Sequence, residues 1–121
     1  MVQAPDIAQL AQECNGWRQQ LRQERNEIGD MKKNLQHVAA ANPARELLTD
    51  IEHFHNQFYI QLINIHDLKH AIKDHEKQVE HGDTSNESLS KHESLHTEYQ
   101  NLEHIISDLR TDFNTFLSRS S

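Results

Sequence analysis

Apolar side chains recur at alternating steps of three and four along almost the whole chain, the spacing that lays one stripe down the side of a helix. Over 5–41 the seam takes Ile7, Cys14, Leu21, Ile28 and Leu35 at heptad position a, and Leu10, Trp17, Met31 and Val38 at d. Glu24 is the one charge at a d position there. Over 43–81 the a residues are Ala44, Ile51, Phe58, Ile65, Ile72 and Val79, and the d residues Leu47, Phe54, Gln61, Leu68 and His75. Over 85–118, His92, Tyr99, Ile106 and Phe113 fall on a, with Ser88, Leu95, Leu102, Leu109 and Phe116 on d. The pattern predicts three helices, each about 50 Å long at 1.5 Å per residue.

Between the seams stand the signals that stop and restart helices. Asn42-Pro43 predicts a break in which Asn42 caps the second helix and Pro43 takes its first position, where a missing N–H costs nothing. Gly82-Asp83-Thr84 predicts a turn, and Thr84-Ser-Asn-Glu87 has the spacing of a capping box. Turns this short make consecutive helices antiparallel neighbours. The expectation is therefore an all-α, up-down-up three-helix bundle with coiled-coil-like packing, one domain over 1–121 with frayed ends at 1–4 and 119–121. Gly16 and Gly29 lie off the seam, where neither is needed for packing.

The two turns also predict register. Equal rise on paired helices places residues opposite one another when their numbers sum to about 85 across the first turn and about 167 across the second. Glu24 then meets Gln61, and His75 meets His92. Trp17, Leu68 and Tyr99 share one layer, and Met31, Phe54 and Phe113 another. A Glu24–Gln61 layer, with the amide donating to the carboxylate, would lock the register because every slipped alignment buries it unpaired. A ligand-anchoring role for Glu24 has no second carboxylate aligned with it.

The heptads, Trp17 on the first seam and the long uninterrupted second helix resemble a spectrin-repeat type three-helix bundle. The segments Glu52-His-Phe-His-Asn-Gln-Phe and Asp67-Leu-Lys-His-Ala-Ile-Lys are also similar to those of small uncharacterised bacterial helical proteins. Both resemblances imply a helical fold, and neither implies an activity.

Composition narrows the function. With 121 residues, three Gly and two Pro, the chain has the make-up of one ordered domain. Net charge is −7, and the basic face Arg18, Arg22 and Arg25 is short and interleaved with Gln and Glu, which argues against a nucleic-acid partner. Protonating all ten His would carry the net charge from −7 to +3, so a pH-responsive switch is a further reading. One cysteine excludes an internal disulfide, and the N-terminus lacks the order of a signal peptide, which together imply a cytoplasmic setting. The longest apolar run, Phe58 to Ile65, is broken by Gln61 and Asn64, so no membrane span is expected.

Candidate chemistry centres on histidine. Cys14, His75 and His92, with His96 or His70 nearby, form the best metal-like set, because imidazole and thiolate suit zinc or another divalent transition metal. By register, Cys14 lies about one turn, ~5.4 Å, from the His pair, and a hydrogen-bonded His pair without metal explains the same residues. His66/His70 and His92/His96 are i,i+4 pairs. Glu52-x-x-His55 and Glu93-x-x-His96 have the spacing found in di-iron bundles but fall at different levels, and no nucleophile–base pair or phosphate loop is legible. No enzyme and no cofactor is expected. Tyr59, Ile60, Ile63, His66 and His70 form an outer stripe on the second helix suited to self-association or a partner helix. The leading expectation is a non-enzymatic protein acting by protein contact through that stripe, with metal binding as the alternative.

Overall fold

A computed structural model describes residues 6–120. The expectations for 1–5 and for 121 lie outside the described residues. Three helices account for nearly all of the rest: α1 (Ile7–Ala40), α2 (Arg45–Glu80) and α3 (Asn86–Ser120). Cys14 meets His92 and Arg18 meets Glu76 at one end, while Phe54 meets Phe113 and Arg119 meets Asp50 at the other. Low numbers on α1 thus face high numbers on α2, and high numbers on α2 face low numbers on α3. The bundle is up-down-up, as the two short turns require.

Helix ends depart from the predicted ones for identifiable reasons. Asp6 caps α1, its carboxylate accepting the Ala8 N–H at 3.0 Å. Asn42 has φ +59°, the left-handed conformation that closes a helix, so it ends α1 and cannot also take the extended backbone of a cap for α2. Pro43 consequently sits in the turn, and α2 starts at Arg45 with Ala44 before it and no side-chain cap. At the other join Gly82 has φ +92°; its N–H bonds the Val79 carbonyl, and the Asp83 N–H bonds Gln78, the paired bonds of a Schellman ending. The capping residue of α3 is Ser85, one later than predicted: its Oγ accepts the Ser88 N–H at 3.2 Å. Asp83 fixes that shift by accepting both the Ser85 N–H and O–H. The far end of α3 runs to Ser120, beyond the predicted 118, because Arg119 pairs with Asp50 and the Ser120 hydroxyl bonds the Leu117 carbonyl.

The core follows the seams. Leu21, Ile28, Phe58, Ile65, Ile72, Ile106, Phe113 and Phe116 are wholly buried, and Phe54, Phe58, Phe113 and Phe116 pack edge-on, tilted or, for Phe113 on Phe116, stacked, with centroids within about 6 Å, at the end nearest Asn42-Pro43. Trp17 lies over Tyr99, centroids 5.9 Å apart, as the register predicts. Seam residues near the helix ends are less covered: Ile7 and Ala44 are exposed, and Leu10, Leu47 and Val38 half-buried, where the neighbouring helices run out. Gly16 and Gly29 have open space where a Cβ would stand. Among the described residues no helix is long and apolar enough to cross a membrane.

Candidate metal centre

Seam geometry brings one side chain from each helix to a single point. Cys14 of α1, His75 of α2 and His92 of α3 are all buried, and their ligand atoms lie within 4.8 Å of one another. His75 Nε2 stands 3.0 Å from His92 Nδ1, and Cys14 Sγ 3.9 Å from the same nitrogen. The His–His alignment is the predicted one. The offset of about one turn predicted for Cys14 does not keep its sulfur apart from the pair, because the side chains reach along the axis and span it.

The remaining ring atoms set the protonation pattern. His92 Nε2 is 3.1 Å from a carboxylate oxygen of Glu13, so that nitrogen carries the proton and donates it, leaving the Nδ1 lone pair facing Cys14 and His75. Without an ion, one lone pair is offered two donors, the His75 N–H and the Cys14 S–H. His75 Nδ1 is buried with no hydrogen-bond partner. Burial pushes the Cys14 thiol up to about 12, with Glu76 and Glu13 adding to it and Arg18 opposing. Burial also lowers His75, and the neighbouring His92 and Lys91 lower it further. The centre thus holds a neutral Cys14 thiol and a neutral His75 imidazole at pH 7.

Tetrahedral zinc with ordinary bond lengths separates two nitrogens by about 3.3 Å and a sulfur from a nitrogen by about 3.6 Å. The 3.0 and 3.9 Å found here differ from those by a few tenths of an ångström, while the third separation, Cys14 to His75, lies within 4.8 Å and would have to close by up to about 1 Å. Glu13 behind His92 supplies the carboxylate that commonly orients a ligating imidazole. Cys14, His92 and Glu13 also stand in the order nucleophile, base and carboxylate. A fully buried thiol held protonated is a poor nucleophile, and a ligating role would equally require Cys14 to release that proton.

Around the centre, Trp17 covers His92 with centroids 4.8 Å apart and stacks on His96 at 5.2 Å and 6°. His96 is exposed and stands outside the three-atom group, its ring taken up by Trp17. Glu76, buried off the seam beside His75, is the residue the pattern missed; Arg18 grips both its oxygens at 2.7 and 3.2 Å. The register gave no signal for it: Arg18 and Glu76 sum to 94 rather than about 85, and the pair meets only because the long Arg18 side chain spans the difference. Glu52 and His55 are exposed toward the other end, far from Glu93 and His96, and join no ligand group among the described residues.

Glu24 and Gln61 are both buried, but the predicted bond between them is replaced. Gln61 accepts from Asn64 at 3.1 Å, while Gln20 approaches Glu24 Oε1 at 3.5 Å. The second carboxylate judged absent is Glu103, half-buried on α3 within hydrogen-bonding reach of Glu24. Oε2 of Glu24 and Oε1 of Glu103 are each buried without a hydrogen-bond partner, and a proton held on Glu24 can be donated to Glu103. Burial first, and then Glu103, push Glu24 up to about 8. On the outer stripe, Tyr59, Ile60 and Ile63 are 63%, 44% and 43% exposed, while His66 and His70 turn to the groove between α1 and α2.

Comparison with known proteins finds no matching family model, no matching curated protein and no matching solved structure, so the site is read from its own chemistry.

Proposed function

We propose that the protein is a binding module for a divalent transition metal, with zinc the best fit, held by Cys14, His75 and His92. The observation that carries this is the convergence of three ligand atoms, one from each helix, within 4.8 Å. Charge supports a divalent ion. Arg18 and Glu76 neutralise each other, so a dipositive metal would be balanced by the buried Cys14 thiolate and by the Glu13 carboxylate at the exposed edge of the site. The thiolate and imidazole set matches zinc's ligand preference, and reliance on a free thiol suits a reducing, cytoplasmic setting. Titration with zinc followed by elemental analysis should give one ion per chain, lost in Cys14→Ser, His75→Ala and His92→Ala. Absence of stoichiometric zinc, or zinc retained by all three variants, overturns the proposal.

The exposed Tyr59, Ile60 and Ile63 support a second reading, contact with a partner helix or a second copy through the outer face of α2. Under it, Ile63→Glu abolishes any association seen by mass measurement in solution; association indifferent to that change removes the reading.

A further inference from the structure

We infer that the groove between α1 and α2 is a binding site for a small, multiply charged oxyanion of the phosphate type. The sequence shows Arg18, Arg22 and Arg25 only as a short basic face on α1. Folding sets Arg18 and Arg22 against Lys69 and Lys73 of α2, with His66 and His70 also lining a groove of about 220 Å³, and Arg25 follows just beyond it on α1. Arg18, Arg22, Arg25, Lys69 and Lys73 are five of the chain's twelve lysines and arginines. Arg18 alone has a carboxylate, Glu76. Among the described residues Arg22, Arg25, Lys69 and Lys73 have no acidic partner.

Such crowding opposes folding. Arg18 and Arg22, and likewise Lys69 and Lys73, are i,i+4 pairs of like charge, each destabilising. Lys69 is half-buried, and desolvation together with Arg25, Arg22 and Arg18 lowers its pKa. An acidic protein that concentrates unpaired cations in one cleft gains most when a compact anion enters it. Guanidinium forks and an ammonium converging from two helices suit the tetrahedral oxygens of a phosphate group. A long polyanion is a poor match, because setting those five positive charges apart from the net −7 leaves −12 on the rest of the chain.

The inference is independent of the metal reading and is tested on the metal-free 121-residue chain with a chelator present. Orthophosphate and pyrophosphate are titrated at low salt by calorimetry and by amide chemical shifts. Pyrophosphate should bind saturably, one per chain and more tightly than orthophosphate, shifting amides of 18–25 and 66–73. Arg22→Gln and Lys69→Gln should each weaken it about tenfold, the loss of one charged hydrogen bond. Lys33→Gln, which removes the same charge from an exposed site elsewhere on α1, should leave affinity unchanged. Circular dichroism identical to the parent's shows that the variants are folded. Non-saturable binding, equal weakening by Lys33→Gln, or binding of an oligonucleotide but not of pyrophosphate overturns the inference.

Discussion

At Glu24 the bundle holds a carboxyl group where the heptad asks for an apolar residue, and the side chain is 1% exposed. Its folded pKa, raised to about 8 from 4.5, means that the native state binds a proton that the unfolded chain has released over that interval. Stability from this group is therefore present at low pH and is lost as pH rises through 8. Gln in its place can donate to Glu103 at every pH. The expected outcome is that the urea midpoint of the parent falls between about pH 6.5 and 8.5, while that of Glu24→Gln is flatter across the same interval. Glu103→Gln should behave differently, because its amide offers Glu24 a donor and brings its pKa back toward 4.5, favouring the ionised form. Equal pH profiles for the parent and both variants would show that Glu24 and Glu103 share no proton. The same residue marks what register alone could not supply. Its burial and level follow from the seam, but its partner sits outside the a and d positions of α3 and depends on which way two long side chains turn.

Between residues and the whole fold, the helix is the unit in which the sequence was most legible. The seams locate α1, α2 and α3 because burying a stripe every seven residues admits only one face, and they place His75 against His92 because rise per residue is constant. Helix ends depend instead on competition within a few residues. Asn42 could cap α2 or close α1, and the left-handed backbone it adopts settles the matter for α1. Ser85 displaces Thr84 as the cap because Asp83 holds its hydroxyl and amide. Cys14 joins the His pair for a similar reason: a level difference of about one turn is within the reach of side chains leaning along the helix axis. The cap assignment is testable. Ser85→Ala should cost about 1 kcal/mol of stability and Thr84→Ala much less, measured as the shift in denaturation midpoint. A larger loss for Thr84→Ala would return the cap to the predicted residue.

For the molecule as a whole, the proposed metal would be a clamp, since its ligands come one from each of three helices. A ligand that binds only the folded bundle stabilises it by about 2.7 kcal/mol at a hundredfold excess over Kd, equivalent to roughly 10 °C in a domain of this size. That gain is pH-dependent through the centre's own protons. Cys14 must release its proton to bind, and with the thiol near 12 the competition sharpens as pH falls. His75 acts in the same direction without metal: its folded pKa lies below the unfolded 6.5, chiefly through burial and then through His92 and Lys91, with Asp83 opposing. Below 6.5 the unfolded chain takes up a proton that the folded centre resists, so stability is lost as pH drops. Melting curves at about pH 7.5 and about pH 5.5, the span of free histidine titration, should show a zinc-induced rise that is large at the higher pH and mostly gone at the lower. In Cys14→Ser the zinc-induced rise should be small at both, while the metal-free loss on acidification persists because His75 remains. In His75→Gln that metal-free loss should shrink. A zinc shift equal at the two pH values, or preserved in Cys14→Ser, would separate the ion from this centre and leave the three side chains as a hydrogen-bonded core cluster.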